Sequence, residues 1–132
     1  MVEHKIIKVN VTNETAALHD GTGSGVPDGV IVGKILAIDI DFGAEQTATL
    51  DITIATNGNT GKAVTLYSKA NSATDVRVQP RVALHDNAGA AVSYAAGYPI
   101  YDCYVVADYV TVTLAHADNE SPACTITIFY EN

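Results

Sequence analysis

Two His-Asp pairs are the residues of this sequence whose types and spacing point most directly to catalytic or metal chemistry. His19-Asp20 is followed by a glycine, and His85-Asp86 is followed by Asn-Ala-Gly. Each pair ends a strand-like run and leads into a glycine turn, where Asp accepts hydrogen bonds from backbone N–H groups. Metal-dependent phosphohydrolases that use such a pair hold it on helices. We therefore interpret both pairs as turn residues.

Further carboxylates and one serine offer two other kinds of site. The oxygen ligands of a Ca²⁺ ion could come from Asp39, Asp41 and Asp51 on predicted strands, with Asp20 or Asp28 from a predicted loop. Their spacing matches no calcium-binding loop, and solvated carboxylates are the simpler interpretation. Ser24 lies close in sequence to His19 and Asp20, but no nucleophile-elbow motif surrounds it. The sequence therefore predicts no catalytic residue, no metal and no cofactor.

The two cysteines lie in strand-like runs. Cys103 is followed by Tyr-Val-Val, and Cys124 by Thr-Ile-Thr-Ile. Thiols on neighbouring strands could form a disulfide, but the N-terminus has no apolar segment typical of a secretory signal. A reducing cytosol then favours free, buried thiols, and two cysteines without a nearby histidine do not suggest zinc.

Charge and hydropathy restrict the classes of partner. The chain has 15 acidic and 7 basic residues, a net charge of −8, and only 17% charged residues. Phosphate backbones are bound by clustered Lys and Arg, which the sequence lacks, so we expect no nucleic-acid binding. The apolar runs are too short to cross a membrane. Few charges and much apolar surface favour a homo-oligomer or a lattice component, because large exposed apolar patches are rare on monomers.

Alternation of apolar and polar residues predicts strands along most of the chain. Residues 1–12 are interpreted as a first strand or an N-terminal arm, and residues 13–29, rich in Gly, Ser, Thr and Asp, as a long Gly-rich loop. Further strands are predicted over residues 30–42, 47–56, 63–68, 75–85, 98–106, 109–115 and 124–130. Gly33 is expected to mark a bend or bulge, and Pro80 an edge strand or a kink between two strands.

This pattern predicts the fold class. About eight short strands, with turns at roughly ten-residue spacing, are typical of a two-sheet sandwich or jelly roll. We predict a single all-β domain over residues 1–132, an antiparallel β-sandwich of the jelly-roll type. Helix is limited to one turn at residues 12–18.

Tyrosines are dense in the second half of the chain. Tyrosine is favoured at interfaces, where its ring packs and its hydroxyl stays wet, but it also packs within sheets and stacks on sugars. The candidate interface residues are Ile6, Val9, Val11, Tyr94, Tyr98, Tyr101, Tyr104 and Tyr109.

The order of several segments resembles that of small virion proteins of tailed bacteriophages. The segments are Leu50-Asp-Ile-Thr-Ile, Gln79-Pro-Arg-Val-Ala-Leu-His-Asp-Asn-Ala-Gly, Tyr109-Val-Thr-Val-Thr-Leu-Ala and Thr125-Ile-Thr-Ile-Phe-Tyr. They are similar to the head-associated or decoration-type β-sandwich proteins, in which an Asp-x-Thr-Ile strand is followed by Pro-Arg, a His/Asp turn and a final apolar hairpin.

This resemblance implies a non-enzymatic capsid decoration or stabilising protein. Such a protein binds the major capsid protein or other virion proteins, often as a trimer or other small homo-oligomer. It would be assembled in the host bacterial cytoplasm and located on the capsid surface. A tail or connector component, or a carbohydrate- or receptor-binding β-sandwich module, is the alternative.

Overall fold

A computed structural model describes residues 1–58, 62–95 and 98–132. Thirteen strands lie in these ranges, and the long ones form where apolar and polar residues alternate. The side chains of Tyr94, Tyr98 and Pro99 are outside this description. The strands are β1 (Val2–Val11), β2 (Gly21–Gly25), β3 (Ile31–Phe42), β4 (Asp51–Thr56), β5 (Thr65–Lys69), β6 (Val76–Val78), β7 (Arg81–Ala83), β8 (Ser93–Ala95), β9 (Tyr98–Pro99), β10 (Tyr101–Cys103), β11 (Val105–Asp108), β12 (Val110–Ala117) and β13 (Glu120–Glu131).

Nine of these strands build two antiparallel sheets, and eight of the nine follow jelly-roll order. One sheet has the order β1-β13-β3-β11, with β6 also paired to β3, and the other has the order β2-β12-β4-β5. We call them the first and the second sheet. Among the eight strands in jelly-roll order, the chain changes sheet at almost every connection, and only β4 and β5 follow each other within one sheet. This alternation is the double-sheet arrangement that the strand spacing predicts, so the sandwich fold class is confirmed.

The core lies between the two sheets and is almost entirely aliphatic. On β13, Ile126 and Ile128 are fully buried, as are Ile38 and Ile40 directly opposite them on β3. Leu114 of β12 is equally buried in the second sheet. Around these isoleucines every second side chain lies in the core, which explains why the register is well specified.

Strand β2 corrects the predicted loop at residues 13–29. Its sequence Gly-Thr-Gly-Ser-Gly pairs with β12, although glycine is usually depleted in strands. A Cβ at Gly23 would lie 2.6 Å from the carbonyl oxygen of Asn10 and 3.0 Å from Cγ1 of Val9. The alternate glycines therefore let β2 lie directly against β1 at the edge of the sandwich. Glycine here allows close approach of two strands and does not mark a loop.

Several strand boundaries also differ from the prediction. Residues 47–50 form turns before β4, and residues 98–106 are divided among three short strands. Pro80 separates β6, which pairs with β3, from β7, which pairs with β10, so the predicted kink between two strands is confirmed. These short strands raise the number above the predicted eight. Gly33, which was expected to mark a bend or bulge, has a positive φ of 139° but no shift of register. The bulge in β3 lies at Leu36, because Ala37 is opposite Phe129 whereas Ile35 is opposite Tyr130.

Candidate functional site

One end of the sandwich gathers titratable side chains from four connections. We call it the histidine end and define it by residues 12–20, 43–50, 70–75 and 118–119, together with His116 at the end of β12. A shallow pocket of about 280 Å³ lies here. Its lining residues are Leu18, His19, Thr49, Asn71 and His116.

His19 lies between two carboxylates. Its Nδ1 contacts Oδ1 of Asp118 and lies 3.9 Å from Oε2 of Glu14. The backbone N–H of His19 also donates to Glu14 Oε2, at 3.1 Å. Each of these three residues contributes one atom to a group whose members all lie within 4.8 Å of one another. An imidazole held at Nδ1 by a carboxylate has a fixed ring orientation, an arrangement used by both metal ligands and general bases.

The loop carrying Glu14 and His19 is shaped by local hydrogen bonds. Leu18 donates its N–H to Thr15 O at 2.8 Å, and Thr15 donates to Asp20 Oδ1 at 2.6 Å. Ala17 and His19 have positive φ angles of 59° and 52°, which non-glycine residues rarely adopt. The tight reversal turns the imidazole of His19 back toward the β12–β13 turn.

Gln46 holds the main chain of Asp118, and His19 contacts its side chain. The N–H of Asp118 donates to Oε1 of Gln46 at 3.0 Å, and its carbonyl accepts from Nε2 of Gln46 at 2.9 Å. Only 8% of the residue is exposed. Burial acts to raise the pKa of Asp118, but hydrogen bonds with His19 and Glu14 outweigh it, and the net shift is downward.

A second histidine–carboxylate pair lies on the other side of the pocket. Nδ1 of His116 lies 3.0 Å from Oδ2 of Asp51, and Oδ1 of Asp51 accepts the N–H of Asn71 at 2.9 Å. These two bonds, that of Asn71 first, lower the pKa of Asp51. Among the described residues, no hydroxyl or thiol is hydrogen-bonded to either ring, so neither pair has the neighbouring nucleophile of a hydrolase triad.

The turn interpretation holds for both aspartates of the His-Asp pairs. Asp86 Oδ1 accepts the N–H groups of Ala88 and Ala90, each at 2.9 Å, and Asp20 accepts that of Thr15. It is incomplete for His19, whose partner Asp118 lies 99 residues away. Two residues this far apart in the sequence have no local spacing that could predict their contact. The sequence therefore did not indicate Glu14 or Asp118.

The carboxylates considered for a calcium site do not converge. Asp39 pairs with Arg77, Asp28 with Lys5, and Asp51 with His116. Ser24 lies on β2 opposite Thr113, not beside His19. The triad and the calcium set are therefore not assembled in the described part of the chain.

The candidate interface residues divide by exposure. Ile6 is 52% exposed and Tyr101 58%, whereas Tyr104 and Tyr109 are half-buried. Val9 and Val11 are buried in the core against the β2 glycines, so their assignment to an interface was wrong. They occupy the inward positions of β1, which alternate with outward Ile6. Tyr94 and Tyr98 lie outside the described side chains.

The first sheet exposes further apolar residues that the sequence analysis did not single out. Val105 of β11 is 73% exposed and Val32 of β3 is 54% exposed. Val105 is opposite Lys34, and Val32 is opposite Ala107, so the two valines are diagonal neighbours across paired strands. Val2 of β1 is 58% exposed at the other edge of the same sheet. We call Val2, Ile6, Val32 and Val105 the outer apolar residues.

Both cysteines are free thiols. Cys124 is buried, and this burial, followed by the charges of Asp41 and Asp75, raises its pKa to about 12. Cys103 is half-buried.

Comparison with protein-family models and with curated protein sequences gave no match to this chain. In the described ranges, no helix has the length and hydropathy needed to span a membrane.

Proposed function

We propose that this chain is a non-enzymatic structural protein of a tailed-phage virion, a capsid decoration or stabilising protein that binds the head lattice. The resemblance of several sequence segments to decoration-type virion proteins supports this class of protein. The jelly roll is also a fold on which viral capsid domains are built. Lectins and cupins share that fold, so the architecture alone does not select among them.

The observation that carries the proposal is the exposure of the outer apolar residues. Ile6 and Val2 lie on the edge strand β1 of the first sheet, and Val105 lies on the opposite edge strand β11, beside Val32 of β3. An isolated exposed valine needs no explanation, but three valines and one isoleucine exposed on one sheet face of a small domain favour contact with other chains. Aliphatic side chains on a rigid sheet suit a permanent lattice contact, because burying them contributes affinity without reorganising the backbone.

The acidic charge of the chain also fits a protein-lattice partner. A net charge of −8 disfavours association with nucleic acid, so a position inside the head against the packaged genome is the least favoured one. A position on the shell requires only a complementary protein surface. A homo-oligomer, such as a trimer, would multiply these contacts through avidity.

Co-sedimentation with capsids tests the proposal. Recombinant chain is mixed with gradient-purified heads lacking it, and the bound fraction is measured over a concentration series. We expect saturable binding in proportion to the copies of the major capsid protein, and substitution of Ile6→Lys or Val105→Glu should weaken it at least tenfold. Both side chains are more than half exposed, so stability should change by no more than about 0.5 kcal/mol.

Thr113→Lys is the matched control, because Thr113 is exposed on the outer face of the second sheet. It should bind as the unsubstituted chain does. A chain that stays in the supernatant at every concentration contradicts the proposal. Binding to glycan arrays that is lost on Tyr101→Ala would instead support the carbohydrate-binding alternative.

A further inference from the structure

Glu14, His19 and Asp118 combine the ligand types of a metal site at the histidine end. Each offers one atom, a carboxylate oxygen or a ring nitrogen, within 4.8 Å of the other two. Glu14 and His19 come from the β1–β2 loop, and Asp118 comes from the β12–β13 turn. We propose that these three residues bind a divalent transition-metal ion, with Zn²⁺ as the reference ion.

An unsatisfied buried oxygen is the independent sign of a ligand. Asp118 is only 8% exposed, and its Oδ2 atom is buried and accepts no hydrogen bond. Leaving a carboxylate oxygen without water or a donor is costly. A cation coordinated by Asp118 removes that cost directly, whereas the contact of Oδ1 with His19 does not.

The charge balance of the group also calls for a cation. Two carboxylates lie against one imidazole, so even a protonated His19 leaves a net negative charge in a partly buried site. Carboxylates that share a site repel each other unless a proton or a metal ion lies between them. A divalent ion bound by two carboxylates and a neutral imidazole forms a neutral group, which is better suited to burial.

Surrounding hydrogen bonds hold the ligands in orientation. Glu14 Oε1 accepts the N–H of Asn119 at 3.0 Å, and Asn119 Oδ1 accepts the N–H of Glu14 at 2.9 Å. Gln46 holds the main chain of Asp118 from both sides. Metal sites use such outer contacts to fix ligand geometry before the ion binds.

The donor set selects the kind of ion. Imidazole nitrogen is a ligand of Zn²⁺ and its neighbours in the transition series, whereas Ca²⁺ takes six to eight oxygen ligands. Three protein ligands leave a fourth tetrahedral position for water. The side chain of His19 is 39% exposed, so solvent and the ion have access to the site.

Titration calorimetry of the full chain, stripped with a chelator, tests this assignment with ZnCl₂, CoCl₂ and CaCl₂. We expect one Zn²⁺ per chain, with affinity at least tenfold weaker in His19→Gln and in Asp118→Asn. His85→Gln is the matched control, since His85 is exposed and outside the group, and it should bind as the unsubstituted chain does. Bound Co²⁺ should show the visible absorption of a tetrahedral site.

Circular dichroism of each variant separates loss of the site from loss of the fold. If Asp118→Asn unfolds, Glu14→Gln takes its place, because Glu14 lies in a surface loop. Equal zinc affinity in the unsubstituted chain and His19→Gln overturns the proposal, as does an equal loss in His85→Gln. Calcium binding that His19→Gln leaves intact would overturn the transition-metal assignment. Capsid binding is measured separately on the other surface, so either proposal can fail alone.

Discussion

Substitution of Gly23 by alanine probes the packing of the glycine strand on β1. The added Cβ would lie 2.6 Å from the backbone oxygen of Asn10 and 3.0 and 3.1 Å from methyl carbons of Val9 and Val11. A backbone atom cannot rotate away as a side chain can. The strands must therefore separate by several tenths of an ångström, at the expense of buried contacts.

Two effects of opposite sign determine the result. Overpacking of a tight contact costs about 1–3 kcal/mol. Replacing glycine within a strand returns about 0.5–1 kcal/mol of backbone entropy. The difference spans about 0–2.5 kcal/mol. Because the closest contact is with a backbone oxygen, which cannot move aside, we expect Gly23→Ala to lower the free energy of unfolding by about 1–2 kcal/mol.

Urea denaturation followed by circular dichroism measures this change. The midpoint should fall while the slope m stays constant, because the surface exposed on unfolding hardly changes. Ser24→Ala, at the neighbouring exposed position of β2, should stay within about 0.5 kcal/mol of the unsubstituted chain. A Gly23→Ala variant as stable as the unsubstituted chain, or more stable, would refute the explanation of why this strand contains glycine.

Three further predictions concern the core, an acid and a thiol. Leu114→Ala should destabilise the chain by about 2–5 kcal/mol in the same urea assay, because Leu114 is fully buried; a loss below 1 kcal/mol would contradict its place in the core. The pKa of Asp118 in the folded chain lies below its ordinary 3.8. Between these two pKa values the unfolded chain binds more protons than the folded chain does. The free energy of unfolding should therefore fall as the pH drops from about 4. In metal-free buffer, Asp118→Asn should make stability depend less on pH below about 4. An unchanged pH dependence would count against this role of Asp118. Ellman's reagent should label Cys103 alone in the native state and Cys124 only after denaturation, since burial raises the latter's pKa to about 12; rapid labelling of both would argue otherwise.

The long strands could be predicted because their pattern is strong. In β3 and β13, alternating isoleucines specify both the strand and the face that it buries. Strand β2 could not be predicted in this way. Glycine carries no periodic hydropathy, and the need for it arises from Asn10 on another strand. The error at Val9 and Val11 had a different cause. Both faces of β1 carry apolar residues, Ile6 on one and Val9 and Val11 on the other, so its pattern did not show which face is covered.

The candidate site was only partly accessible from the sequence. The sequence singled out His19 by type and Asp20 and Asp86 correctly by their turn context. Asp118 joins His19 only because the jelly roll brings the β1–β2 loop and the β12–β13 turn to the same end of the sandwich. Such a contact depends on topology, and no local spacing encodes it.

Quantitative mass spectrometry of gradient-purified virions tests the proposed function most directly. If the proposal is right, the chain is encoded by a tailed phage; that phage is grown, and chain copies per major capsid protein are counted in intact particles and in the unbound lysate fraction. We expect a fixed ratio of chain copies to major capsid protein copies, set by the symmetry of the head. The Ile6→Lys variant should be depleted from particles, and the Thr113→Lys variant should be retained. A chain absent from particles and monomeric in the lysate would contradict a role in the virion.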